Sequence, residues 1–109
     1  MTTPLDPLLH QPVRTRLAAF LAARGEATFT ELKEALEVTD GNLEAHLKKL
    51  VGAGYIGTRK TRGRRRPQTI YSLSPQGRDA FAAYVETLHA LLPDPDGETS
   101  PAGDPLSTR

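Results

Sequence analysis

Proline is absent from Val13 to Arg66, although the chain holds nine prolines in its 109 residues. A proline inside a helix removes a hydrogen bond and clashes with the preceding turn, so this long gap is where regular structure can form. Three prolines fall in the first twelve residues and four between Pro93 and Pro105, so the ends are poor ground for it. The length suits one small domain. It contains no cysteine, which rules out disulfides, thiolate chemistry and Cys-ligated zinc, and leaves stability to buried leucines, valines and a few aromatics. No run of 18 apolar residues occurs, and Asp6 stands where a signal peptide would carry positive charge. The chain therefore reads as cytoplasmic and not membrane-bound.

The pattern of elements follows from periodicity and punctuation. Asp6-Pro7 looks like a cap followed by proline at a first helical position, opening a candidate turn over Leu8, Leu9 and His10. From Pro12 to Arg24, Val13, Leu17, Phe20 and Leu21 recur at helical spacing, and Gly25 supplies a stop. Thr28 or Thr30 caps a short helix from Glu31 to Glu37, which buries Leu32 and Leu36. Thr39 or Asp40 caps a third, running to about Ala53 with Leu43, Leu47, Leu50 and Val51 on one face. Tyr55 to Thr61 and Gln68 to Leu73 are β-prone runs around a basic, glycine-containing loop, which predicts a hairpin. Ser74-Pro75 caps a last helix that Pro93 ends. Its stripe is Phe81, Tyr84, Val85, Leu88, Leu91 and Leu92. Residues 93–109 form an acidic tail rich in Pro and Gly, too poor in apolar residues to order, and residues 1–4 form a short arm before a domain at 5–92.

A net charge of +1 conceals a segregation. Between Ala45 and Arg78 there are nine basic residues and no acidic one, and the remainder holds five basic and thirteen acidic, so +9 and −8 sum to +1. Such separation in a small domain predicts a basic face for a polyanion; the plainer alternative is a solvated basic loop.

Three helices, a hairpin with a basic loop and a final helix make a mainly α, α+β architecture with the order α-α-α-β-β-α. At this point the residues resemble the winged helix-turn-helix transcriptional regulators of the MarR/ArsR-like kind. The likeness rests on Leu5-Asp6-Pro7-Leu8-Leu9-His10 before the first helix and Thr39-Asp40-Gly41-Asn42-Leu43 opening the third. It continues in His46-Leu47-Lys48-Lys49-Leu50, Gly54-Tyr55-Ile56, Arg66-Pro67-Gln68-Thr69 and Tyr71-Ser72-Leu73-Ser74-Pro75-Gln76-Gly77-Arg78. The resemblance implies binding to double-stranded DNA, repression by occluding a promoter, and a homodimer held by the terminal helices. The cysteines or clustered histidines of an ArsR-type metal sensor are missing from this sequence, as are the additional end helices of larger MarR proteins.

A helical wheel sets Gly41, Asn42, Ala45, Lys48 and Lys49 opposite the leucines of the third helix, a face suited to the major groove. Asn42 has the groups to bond adenine N6 and N7, and Ala45 suits a thymine methyl, while Lys48 and Lys49 suit phosphates. The plainer role for Asn42 is helix capping near Thr39. Glu44, toward the buried flank, is expected to pair within the protein. His46 sits at the flank, where a buried or phosphate-facing hydrogen bond is the ordinary role. The wing offers Arg59, Lys60, Arg62, Arg64, Arg65 and Arg66 around Gly63, with Arg64 nearest the tip and best placed to enter a minor groove.

His10, His46 and His89 match no metal-ligand spacing, and neither a nucleophile elbow nor a phosphate-cradling loop is present, so neither a cofactor, a metal nor catalysis is expected. Leu5, Leu8, Leu9 and Val13, with the stripe from Phe81 to Leu92, exceed what a small domain needs to cover and point to the dimer interface; the plainer alternative is that they complete the core of the single chain. A pocket between the first and last helices of that dimer is a candidate seat for an apolar effector of unidentified chemistry. The rival readings are a sequence-indifferent architectural or nucleoid protein, whose affinity lies in the wing, and a winged helix that docks an acidic protein partner.

Overall fold

Each helix starts where a side chain replaces the missing preceding turn. The computed structural model describes residues 4–62 and 66–93; the expectations for residues 1–3, for Gly63, Arg64 and Arg65, and for the tail from Asp94 onward lie outside the described residues. Asp6 opens the chain: its Oδ1 accepts from the Leu8 N–H at 2.9 Å, and its carbonyl accepts from the His10 N–H at 2.8 Å. The turn so closed delivers Leu9 into the core. Helix α1 (Pro12–Arg24) follows, with the Gln11 side chain accepting from the Arg14 N–H and proline in its first turn. Gly25 ends it at φ 100°, a conformation that costs a side-chain-bearing residue dearly.

Strand β1 (Ala27–Thr28) leads directly into helix α2 (Phe29–Leu36). Thr28 and Glu31 form a reciprocal capping box, with Thr28 Oγ1 accepting from the Glu31 N–H and Glu31 Oε1 accepting from the Thr28 N–H. That choice of Thr28 over Thr30 starts α2 two residues earlier than the sequence predicts, and the left-handed Glu37 at φ 55° ends it one residue earlier. Thr39 caps helix α3 (Asp40–Gly52), and a Lys33–Asp40 ion pair at 2.8 Å spans the turn from α2.

Strands β2 (Ile56–Thr61) and β3 (Gln68–Leu73) pair antiparallel from Ile56 opposite Leu73 to Thr61 opposite Gln68. Strand β1 pairs with the other edge of β3, giving the order β1-β3-β2. The expected hairpin is thus part of a three-stranded sheet. Two residues are too few to leave an alternating pattern, so β1 exists because β3 offers it partners. Helix α4 (Pro75–Leu91) starts at Ser74, whose Oγ accepts from the Gly77 N–H at 3.0 Å and donates to the Gly54 carbonyl at 2.5 Å.

The largest fully buried side chains are Leu9, Leu17, Leu21, Leu32, Leu43 and Leu50, one from the first turn and the rest from α1, α2 and α3. Val51, predicted to join the buried face of α3, is 39% exposed. At 100° per residue it lies about 80° around the helix from Leu43, on the flank toward the wing.

Candidate nucleic-acid interface

The burial of Leu43, Leu47 and Leu50 turns the opposite face of α3 outward. Gly41, Asn42, Ala45, Lys48 and Lys49 are all exposed there, as expected from the wheel. Thr39, also exposed, is the cap: its Oγ1 accepts from the Asn42 N–H at 3.2 Å. Asn42 therefore gives only its backbone to the cap, and no group among the described residues hydrogen-bonds its side-chain amide.

The two flanks of α3 differ in character. On the wing side, Glu44, Lys48 and Val51 border a groove of about 340 Å3 with Leu47, Phe29 and Tyr71. Glu44 is exposed and takes part in none of the ion pairs among the described residues, contrary to the expectation that it pairs within the protein. Its neighbour is the Tyr71 phenol, whose pKa is raised first by burial and then by the Glu44 carboxylate. On the other flank His46 is half-buried against α1, where Arg14 Nη1 lies 3.1 Å from its Nδ1. Burial, Arg14 and Lys49, in that order, hold the imidazole below its usual pKa. Nothing in the sequence links residues 14 and 46, so sequence reasoning missed Arg14; only the packing of α1 on α3 joins them.

In the wing, Arg59, Lys60, Arg62 and Arg66 are exposed. Arg59 is not free: its Nη2 reaches both carboxylate oxygens of Glu26, at 2.7 and 2.8 Å, so an acidic residue just before β1 partly neutralises the wing's base. Arg64 and Arg65, expected at the tip, lie outside the described residues.

The residues expected at a dimer interface divide sharply. Leu9 and Tyr84 are only 1% and 4% exposed within the single chain, because the first turn packs under α4. Leu5, Leu8, Phe81 and Leu88 are partly buried against the same core, and Val13 is half-buried. Val85, Leu91 and Leu92 remain 44%, 55% and 56% exposed. A cavity of about 410 Å3 opens between the first turn, α1 and α4, lined by His10, Gln11, Pro12, Thr15, Arg16 and Tyr84. His10 Nδ1 and the Tyr84 hydroxyl meet in its wall at 2.9 Å. Among the described residues no helix is long and apolar enough to cross a membrane, and no three His, Asp or Glu side chains gather as a metal site would require.

A helix-turn-helix with an outward face of small and basic residues, flanked by a basic hairpin, has the build of a DNA reader, and a family model described as a winged helix DNA-binding domain matches residues 13–92. The chain belongs to the winged helix DNA-binding domain family. This winged helix is 40% identical over 78 residues to an uncharacterized protein of Methanocaldococcus jannaschii, a match covering 72% of this chain and 85% of that protein. Its fold is similar to that of a transcriptional regulator homologue protein from Pyrococcus horikoshii OT3, with a TM-score of 0.72 and 30% identity over 77% of this chain and 83% of that one. A protein from Enterococcus faecalis V583, assigned to the MarR family of transcriptional regulators, gives a TM-score of 0.69 at 21% identity, covering 76% and 74% of the two chains. That last likeness speaks to the fold alone. The matched span holds the four helices but for Pro12, and the whole sheet of the winged helix, up to Leu92, and the defining property of the family is DNA binding.

Proposed function

We propose that this DNA-binding winged helix is a sequence-specific regulator of transcription that acts as a homodimer on double-stranded DNA, most simply as a repressor that covers a promoter. The observation that carries the reading is the outward face of α3, where Asn42 holds an uncommitted amide between Gly41 and Ala45, with Lys48 and Lys49 behind it. Small residues let a helix approach base edges, an amide can bond adenine bidentately, and lysines beyond them suit the phosphate walls. Thr39 and His46 border that face, and Arg59, Lys60, Arg62, Arg64, Arg65 and Arg66 of the wing would lie on the adjacent minor groove or its phosphates. The name of the Pyrococcus horikoshii relative supports transcriptional control.

The exposed Val85, Leu91 and Leu92 support pairing through α4, which sets two copies of α3 about one helical turn, roughly 34 Å, apart on a pseudo-palindrome. The cavity beside His10 and Tyr84 is the place for an apolar effector. In this reading residues 5–92 are the functional unit, flanked by an arm at 1–4 and a tail at 93–109, and the protein works at the nucleoid.

An anisotropy titration tests it: the DNA upstream of the protein's own gene against random duplex of equal length, at two salt concentrations. Preference for the upstream DNA by about 10³ or more is expected. So is a slope of log affinity against log salt of about −5 to −9. Equal, strongly salt-dependent binding to both would favour the architectural alternative, and binding to neither would favour a protein partner.

A further inference from the structure

A guanidinium has no acceptor, so the 3.1 Å contact between Arg14 Nη1 and His46 Nδ1 settles the state of the ring. Nδ1 must accept, so the ring is neutral and its one hydrogen sits on Nε2. Arg14 is itself fixed at the other end, since its Nε donates to the Leu8 carbonyl at 2.6 Å. The cation is therefore held at the seam between α1 and α3, on the flank of the DNA-facing helix. One turn along α3 from His46, Lys49 adds a second cation on the same side. The charged groups that face the ring are Arg14 from α1 and Lys49 from its own helix, and both oppose its protonation. Among the described residues neither Arg14 nor Lys49 has a carboxylate partner. Two cations and a neutral imidazole that meet without a counter-charge are arranged for an anion that arrives from outside.

We propose that Arg14, His46 and Lys49 form a seat for one backbone phosphodiester of DNA, and that His46 takes up a proton when the phosphate docks. The proposal rests on the DNA-binding reading above and adds Arg14 and the proton to it. Before docking, a proton on Nδ1 would face the Arg14 guanidinium and break the existing hydrogen bond. A phosphate docked beside them, with the Arg14–His46 bond given up, reverses the balance: its negative charge offsets both cations, and its oxygens accept from the imidazolium and from Arg14 together. Binding and protonation then favour each other reciprocally, so affinity must rise as the pH falls through the range in which bound and free His46 differ. Because the ligand group is a phosphodiester, this term is independent of sequence and is present on any duplex.

The test uses the full chain and random duplex, with the His46 ring followed by NMR across a pH titration, free and bound. The free ring should titrate below the ordinary value of 6.5, and its midpoint should rise on the duplex. In parallel, affinity at fixed salt should be about 3- to 10-fold tighter per bound chain at pH 5.5 than at pH 8, the factor expected from a midpoint shift of up to one unit at each His46. The H46Q variant should lose that dependence, R14Q should weaken it, and H10Q and H89Q should retain it. R14Q also removes the tie to Leu8, so the ring titration of the unaltered protein decides if that variant folds poorly. Duplex bound with no movement of the His46 midpoint, or pH dependence that survives in H46Q, overturns the proposal and leaves the DNA-binding reading intact. No random duplex bound at any pH overturns the proposal, and if the upstream duplex is not bound either, the DNA-binding reading falls with it.

Discussion

Gly77, in the first turn of α4, lies so near the main chain of Tyr55 that a Cβ added to it would stand 2.0 Å from the Tyr55 carbonyl oxygen and 2.8 Å from its carbonyl carbon. Neither atom belongs to a side chain that can swing away. The same carbonyl accepts from the Ser74 N–H at 2.9 Å, so the start of α4 is locked onto the bend between α3 and β2. Gly77→Ala should therefore destabilise the protein by about 2–3 kcal/mol, as overpacking against immovable neighbours does. Gly52→Ala, where a Cβ meets nothing within 4 Å, should cost far less. Thermal unfolding of the two variants side by side checks the contrast.

Tyr55 also reaches the chain's beginning, donating its hydroxyl to Asp6 Oδ2 at 2.5 Å. That bond, with burial and the Asp6 charge behind it, pushes the phenol up from 10.0 to about 12. A pKa raised by folding stabilises the protonated state, so the contribution is whole below pH 10 and is lost as the pH rises from 10 towards 12. Alkaline unfolding should thus show a component that Tyr55→Phe removes, and ultraviolet difference spectra should assign the latest-ionising tyrosine to residue 55. A variant that unfolds in alkali as the unaltered protein does would show that the Asp6 bond carries no stability.

Leu91 and Leu92 give the cleanest test of pairing, because at 55% and 56% exposure they contribute little to the single chain. The Leu91→Glu, Leu92→Glu double variant should stay folded, losing from its melting profile only the concentration-dependent part that pairing adds. Its mass by light scattering should fall from twice 11.9 kDa to 11.9 kDa. Tyr84→Ala should instead unfold the domain, since that ring is 4% exposed and stacks at 6.4 Å from Phe81. A mass of one chain for the unaltered protein would remove the dimer from the account.

The Glu26–Arg59 pair restrains the wing. Glu26→Gln should release Arg59 to a phosphate and steepen the slope of log affinity against log salt by about 0.9 per chain. An unchanged slope would mean that Arg59 serves β1 and β2 rather than DNA.

Most of the fold was legible because punctuation and period agreed. Pro12 and Gly25 bounded α1, Ser74-Pro75 and Pro93 bounded α4, and leucines at helical spacing fixed which side of α3 faced inward. Strand β1 was not legible, because Ala27 and Thr28 are extended by pairing with Tyr71 and Ile70, residues more than forty positions away. The site divided in the same manner. The exposed face of α3 follows from its own period, whereas Arg14 on His46, Glu26 on Arg59 and the lack of an ion-pair partner for Glu44 among the described residues depend on how separate elements meet. The period of α4 alone leaves its apolar stripe open to a single-chain core or to a dimer, and the first turn, carrying Leu9, takes up part of it within the chain.

If α3 reads the major groove while the wing sits on the minor groove, methylation protection on the upstream DNA tests both at once. Guanine N7 lies in the major groove and adenine N3 in the minor. Protected guanine N7 is expected in two patches about one helical turn, roughly 34 Å, apart, with protected adenine N3 beside them. Tight binding that protects adenine N3 but leaves every guanine N7 reactive would contradict it, placing the affinity in the wing alone.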